Sequence, residues 1–288
     1  DYEGWERYQT ASAIMKEAFS REKEMTAVDA INLFSRQYRH EVLDIDFNKD
    51  NAPEYTVDQD FIPRRITSAV VCFEGVKAGN NPLQGVMWTA LGYPACAVAV
   101  PLLMDKQHLP AYMLARDGHA KEGEGLHAEM CDASLAIKDQ WAFPLKISNG
   151  QRYVSTQNIL RGADGRPSLL QCTREVEQTI VVPFETLHMQ WEAGKISDKA
   201  FWKVYDQMAN GWMKKYYEIF QSKGFKKCAI ISSYEPQAGD LRTDTVSDEE
   251  ETETFEKYDI YTKMLAGKSV EDFEAEAKRK FIEEPYNM

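Results

Sequence analysis

Apolar and polar positions along this chain follow first a helical period and then a strand-like one. From Tyr2 to Phe19, residues Trp5, Tyr8, Ile14, Met15, Ala18 and Phe19 return at helical spacing. Thr26 followed three residues later by Asp29 has the form of a capping box, which predicts a second helix ending near Arg39. The polar stretch from Asp44 to Gln59, with Asn48, Asp50, Asn51 and Pro53, interrupts the pattern. Three apolar runs then come in succession: Val70 to Phe73, Val86 to Trp88, and Ala95 to Leu103. They are rich in β-branched and aromatic residues and are separated by turn chemistry at Lys77 to Pro82 and at Gly92-Tyr93-Pro94. Short turns between neighbouring strands predict an antiparallel meander. Because the runs are apolar on both faces, the sheet is expected to be covered on both sides, in a layered arrangement of helices and sheet.

Further along, Lys146 to Val154 predicts a hairpin around Asn149-Gly150, the pair that best supplies the two positive φ angles of a type I′ turn. A helix is predicted from His127 to Trp141, after a glycine-rich loop at Gly118, Gly123 and Gly125. Val176, Ile180, Phe184 and Leu187 give another helix, which Pro183 is expected to kink or split. Ser197 caps a long helix whose stripe Phe201, Tyr205, Met208, Trp212, Tyr216 and Phe220 reads as core. A short strand at Cys228 to Ile231 follows, then an acidic run from Asp244 to Glu256 whose Ser247-Asp248-Glu249-Glu250 resembles a helix start, and a last charged helix from Ser269 to Glu283. The expected division is one domain over residues 1–240 and an acidic helical tail over 241–288. There is no internal repeat.

With 43% hydrophobic and 28% charged residues in 288, the composition is that of a globular protein. A net charge of −12 argues against nucleic acid or an anionic membrane as a partner, since both need a cationic face. No unbroken apolar run reaches the roughly 18 residues of a membrane span, and no leader is visible. The five cysteines, Cys72, Cys96, Cys131, Cys172 and Cys228, form no Cys-x-x-Cys pair, so no structural zinc site is expected, and Cys72 and Cys96 read as small core residues. His119, Glu122, Glu124, His127 and Glu129 gather metal-type side chains without the spacing of a known metal motif, and read as a polar loop. Neither a metal nor a cofactor is expected. No Gly-x-Ser-x-Gly elbow is present, and His40, His108 and His188 stand in no context that singles one out as a catalytic base. The catalytic residues are therefore not named by motif.

Arg64-Arg65 stands apart, because it directly precedes Ile66-Thr67-Ser68 at the start of the first apolar strand. One guanidinium placed there can hold a carboxylate bidentately while Thr67 or Ser68 adds a hydroxyl. The competing reading is a pair of surface arginines offsetting Asp58 and Asp60.

The succession DFIPRRITSAVVCFEGVK, MWTALGYPACAVAVPLLM and the Asn-Gly hairpin, preceded by AINLFSRQYRHEVLDIDF, resembles the C-terminal half of N-terminal nucleophile (Ntn) hydrolases of the linear amide C–N hydrolase kind. That group includes carcinine hydrolase-like and isopenicillin N acyltransferase-like proteins and, more distantly, choloylglycine hydrolases. The likeness spans Tyr2 to Val154 and continues weakly to Phe220. It implies an α+β, four-layer αββα sandwich, here without its N-terminal strands. It also implies chemistry by an N-terminal cysteine, exposed by autoproteolytic or leader processing, whose own α-amine takes the thiol proton. Residue 1 here is Asp, so the resemblance implies a pocket-bearing half that needs its own N-terminal segment or chain, with a small-molecule amide as substrate. Arg64, Arg65, Thr67 and Ser68 match the family's strand-start motif near the substrate region, and Tyr93 matches its Gly-Tyr-Pro turn. Relatives are often exported, which implies an extracytoplasmic setting. Two further readings stand beside this one: a noncatalytic binding or structural module that lost the nucleophile, and a self-sufficient cysteine hydrolase using Cys96.

Overall fold

The computed structural model describes residues 3–20, 25–49, 52–58, 60–115, 128–146 and 152–225. Within them the chain is α+β, mostly helical, with small antiparallel sheets. Two helices open it, α1 (Glu3–Ser20) and α2 (Ala27–Ser35). The Thr26–Asp29 box forms as the sequence predicts, each partner bonding the other's backbone N–H. Helix α2 stops four residues before Arg39, because Arg36 leaves helical geometry at φ −123°, ψ 15°. Two-residue strands β1 (Arg39–His40) and β2 (Ile45–Asp46) then close a small hairpin.

The short strand β3 (Tyr55–Thr56) is followed by the meander: β4 (Ala69–Glu74), β5 (Val86–Leu91) and β6 (Val100–Leu103), in that order across the sheet and all antiparallel. Helix α3 (Glu129–Ile137) runs into a π-turn at Lys138–Ala142. Strands β7 (Leu145–Lys146) and β8 (Arg152–Ser155) pair as the hairpin read from Asn149-Gly150, with Leu145 opposite Tyr153 and β3 on the far side of β8. The turn itself lies outside the described residues, as do the glycine-rich loop, the strand at 228–231 and the acidic tail.

Two long helices complete the fold. Helix α4 (Leu169–Glu192) is uninterrupted, so Pro183 does not split it. Helix α5 (Asp198–Ser222) begins at Ser197, whose hydroxyl accepts from Ala200 N–H. Its stripe is core as expected: Phe201, Tyr205, Trp212, Tyr216 and Phe220 are buried, and Met208 is half-buried against them. Trp191 stacks on Phe201 at 3.9 Å, and Phe184 of α4 meets Trp88 of β5 edge-on at 5.4 Å, tying the helix pair to one face of the meander.

Two expectations need correction. The third apolar run is not a strand throughout: only Val100–Leu103 pairs, while Tyr93 to Ala99 is a fully buried irregular segment. Its polar backbone groups find partners on the helices instead. Arg36, fully buried, donates through Nε to Pro94 O at 2.8 Å and through Nη2 to Ala97 O at 2.7 Å. The same guanidinium grips Glu177 of α4 bidentately at 2.9 and 2.6 Å and reaches Asn32 Oδ1 at 2.9 Å, which engages all five of its donors. Glu177 Oε1 in turn accepts from Ala99 N–H at 2.7 Å. Thr173 donates to Ala95 O and Tyr216 to Cys96 O, at 2.8 and 2.9 Å.

Nor is the sheet covered on both sides throughout. Strands β5 and β6 are, but β4 is not: Val70 and Cys72 turn toward the core, while Ala69, Val71 and Phe73 are exposed on the opposite face.

Removing either member of the buried ion pair strands the other, and frees the Pro94 and Ala97 carbonyls if Arg36 is lost or the Ala99 N–H if Glu177 is lost. We expect Glu177→Gln to lower unfolding free energy by about 3–5 kcal/mol, read from urea unfolding at unchanged m-value. An Arg36→Met/Glu177→Leu double variant should recover little of this, because Pro94 and Ala97 carbonyls stay unsatisfied. A loss below about 1 kcal/mol would show that the pair does not organise the segment.

Candidate functional site

The arginine pair sits in a loop tied at both ends. Thr67 N–H donates to Arg64 O at 2.8 Å and Thr67 Oγ1 accepts from Arg64 N–H at 3.1 Å, a hydroxyl-closed turn that sets the start of β4. Asp58 accepts from Arg65 N–H, and Lys138 Nζ donates to Arg65 O at 3.5 Å. Below the loop, Phe61 is buried between Tyr38 and Phe47, with ring centroids 5.8 and 5.6 Å away. Arg64, Arg65 and Thr67 are half-buried and Ser68 is exposed.

The backbone brings this loop against the Gly-Tyr-Pro turn: Gly92 N–H donates to Ser68 O at 2.7 Å. Gly92 has φ +110°, and a Cβ there would lie 2.3 Å from Ser134 Oγ, so both conformation and space demand glycine. Tyr93 follows it into the interior. Its ring is fully buried, packs edge-on against Phe143 at 5.2 Å, and its hydroxyl bonds that of Tyr38. The structure thus gathers Arg64, Arg65, Thr67 and Ser68 in one turn at the start of β4 and sets Tyr93 in the interior behind it.

The electrostatics follow from burial. Desolvation pushes both the Tyr38 and Tyr93 hydroxyls well above the ordinary phenol range. Burial also raises Asp58, against the lowering pull of its bond from Arg65 N–H and the charges of Arg65 and Arg64. That proximity keeps alive the reading in which the arginines balance Asp58. Alongside it, a half-buried cationic pair on a fixed turn is suited to grip a carboxylate.

Cys96 is fully buried inside the irregular segment, its carbonyl held by Tyr216. Cys72 is half-buried on β4, with its thiol raised by burial first and by Glu74 second. A groove of about 480 Å³ lies elsewhere, along α5, lined by Tyr112, Glu129, Met213 and Tyr217 among others, and includes no residue of the arginine loop. The cluster around His119 and His127 lies outside the described residues.

Two groups escaped sequence reasoning. One is Arg36–Glu177, whose signal was present: Thr173, Glu177, Ile180 and Phe184 share one stripe of α4, and a carboxylate on a buried stripe needs a partner. The other, Glu6 with His40 and Asp60, joins three distant segments and has no local signature. None of the described helices is long and apolar enough to cross a membrane.

Alkylation of the folded chain by iodoacetamide, mapped by peptide mass, should mark Cys72 slowly and faster as pH rises, and leave Cys96 unmarked until denaturant is added. Early labelling of Cys96 would restore it as a nucleophile. Gly92→Ala should cost more than about 1 kcal/mol; a neutral result would mean that the turn can move. No family model, curated protein or solved structure matches the chain.

Proposed function

We propose that this chain is the substrate-pocket half of an Ntn-type hydrolase or acyltransferase acting on linear amide C–N bonds. In this reading its N-terminal cysteine comes from a further segment or chain. The observation that carries the proposal is the uncovered face of β4. Phe73 is 73% exposed and Val71 45%, on a sheet whose opposite face is packed by α4. The register continues that face inward: Phe73 pairs with Met87 and Val71 with Thr89, which pair in turn with Leu102 and Val100. Along β5 and β6 that face is buried at Thr89, Val100 and Leu102, so the open part is the apolar strip on β4, the edge at which a four-layer αββα sandwich would take up further structure.

The chemistry then divides between the halves. The N-terminal cysteine thiol attacks the amide carbon, its α-amine takes the proton, the amine leaves, and water or a second amine resolves the thioester. This chain contributes the rim. Arg64 or Arg65 holds a carboxylate of the substrate, with Ser68 and Thr67 beside it, and the Gly92 bond fixes the rim relative to the sheet. A noncatalytic module is the second reading, supported by the continuous core that the described residues already close around Trp88, Tyr216 and Phe184.

The test is to express the chain with a Cys-led N-terminal segment and assay amine release from N-acyl amides with and without a free carboxylate. The pair should cleave and accumulate a thioester at the cysteine, while this chain alone should not. Phe73→Asp should abolish assembly, and Arg64→Ala or Arg65→Ala should raise KM for carboxylated amides by about 10-fold or more with little change for neutral ones. Assembly without any amide cleavage would favour the noncatalytic module; no assembly would remove both halves of the proposal.

A further inference from the structure

Glu6 on α1, His40 in β1 and Asp60 ahead of the arginine loop come together in the interior, 6%, 2% and 6% exposed. One ring nitrogen and one oxygen from each carboxylate all lie within 4.8 Å of one another. His40 Nδ1 accepts from Leu43 N–H at 3.3 Å, whereas Nε2 is buried with no hydrogen-bond partner among the described residues. An unsatisfied ring nitrogen in a protein interior is costly, and natural structures resolve such atoms with a ligand, ion or water.

We propose that Glu6, His40 and Asp60 bind a divalent transition-metal ion of the zinc type. One imidazole and two carboxylates are nitrogen and oxygen donors of the kind that zinc and its neighbours take at roughly 2.0–2.2 Å. Ligands so placed around a tetrahedral ion stand about 3.3 Å apart, so atoms already within 4.8 Å need only a modest inward shift. A dication brings a site with two carboxylates close to neutrality, which matters in a buried location. Three protein ligands leave a fourth position for water.

Ligation through Nε2 places the ring proton on Nδ1. The Leu43 N–H contact, already at the long end of the range, then opens, and that amide reports occupancy. The ion would clamp α1 to the β1–β2 hairpin and to the segment leading into Arg64-Arg65. This site is independent of the amide reading and stands or falls separately from it.

The experiment uses the full chain, stripped with a chelator and titrated with zinc chloride and, separately, cobalt chloride. Expected are one-to-one binding by calorimetry, a visible cobalt spectrum of tetrahedral intensity, and a shift of the Leu43 amide resonance. His40→Gln should abolish the cobalt spectrum and weaken zinc by more than the roughly 10–100-fold typical of losing an outer partner. His108→Gln, remote in sequence and bonded to Asp206, should bind as the parent does. If His40→Gln does not fold, the Leu43 shift in the parent decides the matter. Absence of that shift on metal addition, or unaltered zinc affinity in a folded His40→Gln, overturns the proposal.

Discussion

The fold depends on one buried side chain that closes an irregular backbone. Between β5 and β6 the chain abandons strand geometry while fully buried, where unpaired carbonyls and amides are costly. Arg36 and Glu177 substitute for the missing ladder bonds, one donating to Pro94 and Ala97, the other accepting from Ala99. A buried ion pair is often no more stabilising than a well-packed hydrophobic pair of like volume. Here the pair has a second task, because its hydrogen bonds specify the path of a segment that no secondary structure specifies. It also links α2, the meander and α4 in one network, so the sheet and both its helical neighbours share a common reference.

That network explains the asymmetry of the meander. The face turned to α4 is filled by Trp88 and Phe184, and the core strands β5 and β6 are sealed. Strand β4 pairs only with β5 among the described residues and turns Val71 and Phe73 outward. Edge strands in finished proteins are commonly blunted by charge, proline or a bulge. On β4 the only charged residue is Glu74 at its end, and that carboxylate is engaged by Trp88 Nε1 at 2.9 Å. An unprotected apolar edge next to a rigid helical layer is the physical ground of the functional reading.

Much of the fold was legible because it is local. The Thr26–Asp29 box, the Ser197 cap, the α5 stripe and the meander order all follow from spacing and turn chemistry. The excess length given to the third strand has a definite cause: Ala95 to Ala99 is apolar enough for a strand, and its backbone is held instead by side chains 58 to 120 residues away. The continuity of α4 through Pro183 is likewise a tertiary outcome, the aromatic packing of Phe184 holding a helix that local rules would break. Of the candidate rim, Arg64 to Ser68 could be placed at a strand start from the sequence. Tyr93 could not be sorted into rim or interior, because the turn it occupies faces either way until Tyr38 is known to meet it.

The Arg36 contacts have a bearing on how this segment can vary through evolution. The guanidinium reads main-chain oxygens, which every residue possesses, so the chemistry of the side chains at positions 94 and 97 is not what it recognises. What the surroundings limit is bulk: Ala95, Ala97 and Ala99 are all fully enclosed. Variation along this stretch is therefore filtered by size and by the cost of burying a polar group, and a larger residue would act by displacing Arg36 from two carbonyls at once, disturbing the sheet and both helices through that one side chain.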